Sequence, residues 1–195
     1  MTSSPVFHHL PDSAGGPVQQ DLSWLDVELV VTEKLDGGEL TFTRDAVHGP
    51  DGAPTEPWDR PATALWTMIA HHIPDGWRVC GESMWARRGI TYTDLPGVFM
   101  VFGVWDETDT LLGWDDTVDW ADRLELPVVP VLYRGVGLST ARAVWSRQRS
   151  AETSEGYVVR TAGRIAAADL PYKLLCWVRP KFATVPPGDA VNEFA

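Results

Sequence analysis

Val27-Glu28-Leu29-Val30-Val31-Thr32-Glu33-Lys34-Leu35-Asp36-Gly37-Gly38-Glu39-Leu40-Thr41-Phe42-Thr43-Arg44 is the stretch on which the fold turns. Val27 to Lys34 carries the β-branched run Val30, Val31, Thr32, whose side chains suit a pleated, buried surface, and it predicts a strand. Asp36-Gly37-Gly38 is turn chemistry. Glu39 to Arg44 then alternates Leu40, Phe42 and Arg44 against Glu39, Thr41 and Thr43, the period of a second strand. Together the two runs predict a hairpin with Lys34 close to its tip. A lysine at a strand end before a glycine turn offers one amine to a pocket beneath the backbone. Such an amine becomes a nucleophile only when it loses its proton, through desolvation or a neighbouring cation. The same pattern suits a solvated surface charge, and the pentapeptide Glu33-Lys34-Leu35-Asp36-Gly37 alone does not choose between them.

Outward from that stretch, His48 to Arg60 is a Pro/Gly loop. Ala64, Leu65, Met68, Ile69 and His72 recur at helical spacing until Pro74-Asp75-Gly76 ends the helix. Trp77 to Gly81 and Val98 to Trp105 predict buried strands. Asp115 to Leu126 predicts a helix, with Val118, Ala121 and Leu124 on one face and acids on the other. Pro127 to Tyr133 predicts a strand, Thr140 to Gln148 a short helix, and Gly156 to Arg160 and Tyr172 to Val178 further strands. Helices interspersed irregularly among such strands predict an α+β fold with mainly antiparallel sheets flanked by helices, not a doubly wound sheet. Met1 to Asp21, rich in Pro, Gly, Ser and Gln, predicts a loose arm or a loop draped over the domain. Residues 22–183 form one domain on this reading, and 184–195 a C-terminal tail.

A chain of 195 residues has room for one such domain. Its ten tryptophans can build a large aromatic core and leave one or two for stacking on a flat ligand. No apolar run approaches the roughly 20 residues that cross a bilayer, and the N-terminus lacks the basic start and apolar core of a secretion signal. Cys80 and Cys176 make neither a disulfide framework nor a metal-ligand spacing, which fits a reduced, cytoplasmic protein. His8-His9 and His71-His72 are adjacent pairs, whereas a helical metal site needs i, i+3 or i, i+4 spacing. No glycine-rich phosphate loop of the Walker or dinucleotide kind exists. The net charge of -11, from 16 Lys and Arg against 27 Asp and Glu, opposes non-specific grip on nucleic acid. The cations Arg142, Arg147, Arg149, Arg160, Arg164, Lys173, Arg179 and Lys181 nevertheless gather in the last third of the chain.

Four segments recur in a telling order: Glu33-Lys34-Leu35-Asp36-Gly37, Gly81-Glu82, Phe99-Met100-Val101-Phe102 and Glu155-Gly156-Tyr157-Val158-Val159-Arg160. With the linking text Ile73 to Glu82 and Leu112 to Val118, they resemble the ATP-dependent RNA ligase family of the covalent nucleotidyltransferases, the superfamily of DNA and RNA ligases and mRNA capping enzymes. The resemblance runs from about Val27 to Phe182. It implies a nucleotidyltransferase domain using ATP and Mg2+ or Mn2+. Lys34 would attack the α-phosphate and hold AMP as a phosphoramide. AMP would then pass to an RNA 5′-phosphate end, and a 3′-hydroxyl would displace it. Glu82 would bind a ribose hydroxyl, Phe102 would stack on adenine, and Leu35, Gly37 and Val158 would line the nucleotide. Glu155 would place the metal. Glu33 and Asp36 would shape the pocket or bind metal-associated water, which makes Asp36 a second candidate at the metal.

Three positions depart from the family pattern, and each removes a cation or phosphate donor. Glu39 stands where an Asn is usual, Pro50 where an Arg is usual, and Cys176 where a Lys would touch the α-phosphate. Lys173 is displaced from Cys176 by an odd number of residues, so a regular strand would turn it to the opposite face. Lys181, beyond Pro180, escapes that rule and is the candidate replacement. Losing one such donor costs roughly a hundred- to a thousandfold in rate by analogy with oxyanion-hole donors. The residues therefore leave open an adenylyltransferase with a non-nucleic-acid acceptor, or a nucleotide-binding module without catalysis. Family ligases generally recruit a further module to grip the strand, which leaves three expectations here: a minimal ligase, a protein partner in that role, or no sealing.

Overall fold

The computed structural model describes residues 8–50, 52–54, 56–149 and 152–195. Its elements are β1 (His8–His9), β2 (Glu28–Lys34), β3 (Gly38–Phe42), β4 (Val47–His48), α1 (Arg60–Ile69), β5 (Arg78–Ser83), β6 (Phe99–Trp105) and β7 (Thr110–Leu111). There follow α2 (Trp114–Arg123), β8 (Val131–Val136), α3 (Leu138–Gln148), β9 (Gly156–Thr161), β10 (Ile165–Ala166), α4 (Leu170–Lys173) and β11 (Leu174–Val178). They build a five-stranded sheet ordered β1-β11-β9-β2-β8 and a six-stranded sheet ordered β10-β7-β6-β5-β3-β4. Apart from the parallel β1–β11 pair, the strand pairs within these sheets are antiparallel. The fold is α+β, as the order of elements predicts.

The expected hairpin does not form. β2 pairs with β8 and β9 in the first sheet, whereas β3 pairs with β4 and β5 in the second. The chain leaves one sheet after Lys34 and enters the other at Gly38. Two physical reasons explain this. The favoured two-residue hairpin turns need positive φ at glycine, and neither Gly37 nor Gly38 is among the positive-φ residues. The run Leu29-Val30-Val31 is buried on both faces, which demands a central strand with covering on each side. Leu29 and Val31 pack with Trp145, Tyr157 and Trp177 beneath α3. Val30 points the other way, into a cluster with Leu35, Met84, Met100 and Trp114 between the sheets.

The outer face of the six-stranded sheet is covered by α1 and α2, where Leu40, Phe42, Val79, Phe99 and Val101 meet Ala62, Ile69 and Ala121. Phe42 and Phe99 stack with centroids 4.0 Å apart. The predicted strand at Pro127 to Tyr133 begins later, at Val131. Its first residues instead link the sheets: Val101 N donates to Pro127 O at 2.8 Å and Glu33 N to Pro130 O at 2.8 Å. The strand foreseen from Tyr172 starts at Leu174, because Leu170–Lys173 closes a helical turn with Pro171 in its first positions. Residues at both ends join the packing. His8–His9 lies parallel to β11, and Ala86 and Leu95 bridge to Val191 and Phe194. Among the described residues no helix is long and apolar enough to cross a membrane.

Candidate nucleotide site

Between the two sheets lies a cavity of about 670 Å³, within the range of small-ligand sites. Side-chain alternation decides what reaches it. On the five-stranded sheet the register sets Lys34 opposite Gly156, Thr32 opposite Val158 and Val158 opposite Cys176. Thr32, Lys34, Val158, Arg160, Leu174 and Cys176 therefore share the cavity side and form its floor. On the other sheet Glu39 stands directly opposite Glu82, and with Phe102 they form the facing wall. Pro50 and Arg88 from loops, with Trp58 and Asp59 from the 3-10 turn Pro57–Asp59, complete the lining at the mouth.

Lys34 is the centre of this arrangement. Its Nζ lies 2.8 Å from Glu155 Oε1. Burial works to lower the amine, but Glu155 and then Glu82 outweigh it, and the amine is pushed up to about 12. It rests as an ammonium. Glu82 accepts a hydrogen bond from Gly37 N at 3.1 Å. Burial pushes its carboxyl up to about 7, against the pull of Lys34. Glu39 is likewise raised by burial, with Lys34 opposing. Gly37 is required by close approach: a Cβ there would lie 2.6 Å from Glu82 Cγ and from Ser83 O. Phe102 and Val158 come from opposite sheets and enclose an apolar part of the cavity, space suited to a flat ring.

The structure thus brings Lys34, Leu35, Gly37, Glu82, Phe102 and Val158 to the cavity wall, with Glu155 bound to Lys34 behind them. It places three other residues differently. Glu33 borders the cavity, but its carboxylate pairs with Arg149 at 2.9 Å on the α3 side, because it alternates with Lys34 along β2. Asp36 is buried and turned away from the cavity; its Oδ2 accepts the N–H of Ile90 at 2.9 Å, and its own N–H meets Tyr92 Oη at 3.0 Å. Its role is to hold the loop after β5. Lys181 is exposed and outside the cavity lining, since the chain turns there at φ 64°. Lys173 is spent on Asp169 at 2.7 Å. Cys176 does occupy the floor, and burial pushes its thiol up to about 12, so it supplies no charge.

Sequence reasoning assigned no role to Arg88 or Arg160. Arg160 is buried on the floor and donates to the carbonyls of Leu112, Thr161 and Gly163. Burial without an acidic partner brings its guanidinium down to about 10. The sequence offers one signal for it, a charged residue two positions beyond Val158 on the same strand face. Arg88 sits on a loop whose path depends on Asp36, and no local pattern marks it. Among the described residues no group of three or more His, Cys, Asp or Glu forms a ready metal cage. Glu82 and Glu155 instead offer oxygen donors of the kind Mg2+ uses, one or two carboxylates completed by water and phosphate oxygens.

A lysine at the end of β2, where the chain leaves one sheet for the other, faces glutamates beside an apolar slot, the arrangement of a nucleotidyltransferase domain of the ligase class. The RNA ligase family model matches residues 27–175, and the chain belongs to that family. No curated protein sequence matches it. Among solved structures, a variant of the Naegleria gruberi RNA ligase with ATP and Mn is similar with a TM-score of 0.59 and 15% identity, over 88% of this chain and 56% of that one. An archaeal ATP-dependent RNA ligase is similar with a TM-score of 0.53 and 17% identity, over 78% and 43%. A putative ATP-dependent DNA ligase from Aquifex aeolicus gives 0.54 and 14%, over 80% and 46%. At these identities the likeness is one of fold, and the chain spans about half the length of each.

Proposed function

We propose that the protein is an ATP-dependent RNA ligase-type nucleotidyltransferase that stores AMP on Lys34 and delivers it to RNA ends. One observation carries this reading: the half-buried Lys34 amine faces Glu155, Glu82 and Glu39 beside the slot between Phe102 and Val158. The adenine would occupy that slot, with Glu82 toward the ribose and the α-phosphate against Lys34. Mg2+ or Mn2+, held by Glu82 and Glu155 with water and phosphate oxygens, would offset the negative charge of the triphosphate. Lys34 releases its proton to Glu155, its hydrogen-bonded neighbour. Its nitrogen lone pair then forms a P–N bond as the bond to pyrophosphate breaks; pyrophosphate leaves with that electron pair and the nitrogen sheds a second proton to solvent. A 5′-phosphate oxygen next bonds to the AMP phosphorus as the P–N bond breaks and Lys34 leaves reprotonated, and a 3′-hydroxyl finally gives its proton to solvent and bonds to the 5′-phosphorus as AMP leaves. A cytoplasmic location belongs to this reading.

A second reading, adenylyl transfer to a small-molecule or protein acceptor, draws support from the neutral Cys176 and the acidic Glu39 inside the cavity. Incubation with ATP labelled at the α-phosphate, with Mg2+ or Mn2+, tests the shared first step. Wild type should carry label through a denaturing gel, and Lys34→Ala should not. Chasing labelled protein with 5′-phosphorylated nicked RNA should move the label to RNA if the first reading holds. Absence of label from wild type would sink both readings.

A further inference from the structure

We propose that Arg88 binds the triphosphate of the nucleotide in the cavity; this rests on the nucleotide reading above. A nucleoside triphosphate brings several negative charges between walls that already hold Glu39 and Glu82, with Glu155 behind Lys34. Of the other cations nearby, Lys34 is paired with Glu155 and Arg149 with Glu33, while Arg160 is held on the floor by bonds to three carbonyls and keeps its buried Nη1 unpartnered. Arg88 has no ion pair and no hydrogen bond among the described residues, yet it lines the cavity mouth. A Cβ built on Gly38 would stand 3.2 Å from its Nη2, so the guanidinium tip lies beside the crossover that presents Lys34. The planar fork of Arg88 suits phosphate oxygens better than a lysine would.

The backbone on both sides of Arg88 is anchored. Arg87 N donates to Ala190 O at 2.8 Å, and Ile90 N donates to Asp36 Oδ2 at 2.9 Å. Asn192 Nδ2 donates to Met84 O at 2.8 Å, and Tyr92 N donates to Asn192 Oδ1 at 3.1 Å. The residue is therefore presented by a fixed loop, which lowers the ordering cost of a phosphate contact.

The test uses the full chain with Mg2+ and three probes: the α,β-methylene analogue of ATP, which cannot lose pyrophosphate, adenosine, and a 5′-phosphorylated oligoribonucleotide. Calorimetry should show Arg88→Ala weakening the triphosphate analogue roughly ten- to a hundredfold, as loss of a charged hydrogen bond does, with adenosine unchanged. Arg88→Lys should lose less. Equal weakening of analogue and adenosine, or no change in either, would overturn the proposal while leaving the nucleotide reading intact. Weakening of the oligoribonucleotide alone would overturn the triphosphate assignment. Failure of the wild type to bind either analogue or adenosine would bring down the nucleotide reading, and the proposal with it.

Discussion

Lys34 is an ammonium in the resting site because two glutamates hold its proton against burial. The same cluster makes Glu82 the residue that reports the electrostatic cost of this geometry. Its carboxyl is raised from 4.5 to about 7, chiefly by burial. The folded state thus holds the proton more tightly than the unfolded state between those values, and stability must fall as pH rises through that window. Glu82→Gln keeps the acceptor for Gly37 N and removes the titration. Urea unfolding should find the variant more stable than wild type at pH 8, by on the order of 1–3 kcal/mol, and that advantage should vanish near pH 4. The gain should come with weaker nucleotide binding. A difference that stays constant across pH would show that Glu82 is not the titrating group. At this scale Lys34, Glu82 and Glu155 were legible because each sits in a short motif. The orientations of Asp36, toward Ile90 N, and of Glu33, toward Arg149, were not legible, since motif position does not reveal which way a buried carboxylate turns.

A crossover from β2 to β3 stands where the sequence predicts a hairpin. Gly37 occupies the tightest point of that crossover, against Ser83 O and Glu82 Cγ. Gly37→Ala should therefore destabilise the fold by about 1–3 kcal/mol, the range for overpacking a tight site, and should impair self-labelling by moving Lys34 and Glu82 together. Gly38→Ala is the control, because its Cβ would meet only the flexible tip of Arg88. Thermal unfolding of the pair separates the two cases; equal melting points would refute the account. Strand identity was readable from alternation in residues 39–44 and from the Val30-Val31-Thr32 run. Strand pairing was not, because a Gly-Gly turn serves a sheet-to-sheet crossover as readily as a hairpin.

At the scale of the molecule, both ends of the described chain serve the site's architecture. The last residues bridge to the loop that carries Arg88, and Trp85 stacks on Phe194 with centroids 5.8 Å apart. Asn192 is almost wholly buried, and its side chain joins Met84 O to Tyr92 N. Asn192→Ala should lower unfolding free energy by about 2–3 kcal/mol by leaving buried polar groups unpaired. Hydrogen exchange should quicken across residues 84–95 while the five-stranded sheet stays protected. Uniform loosening would mean that this segment has no special dependence on the C-terminal residues.

Residue type, order and local period determined the α+β class, most strand and helix positions, and the motif residues around Lys34, because those depend on neighbours a few positions apart. Tertiary structure alone decided that β2 and β3 lie in different sheets, that Asp36 holds a loop, that Lys181 stays outside, and that Arg88 reaches the mouth. These outcomes depend on contacts between residues distant in sequence, such as Asp36 with Ile90 and Arg87 with Ala190. They arise from burying two sheet faces against each other, and no short stretch of the chain encodes that by itself.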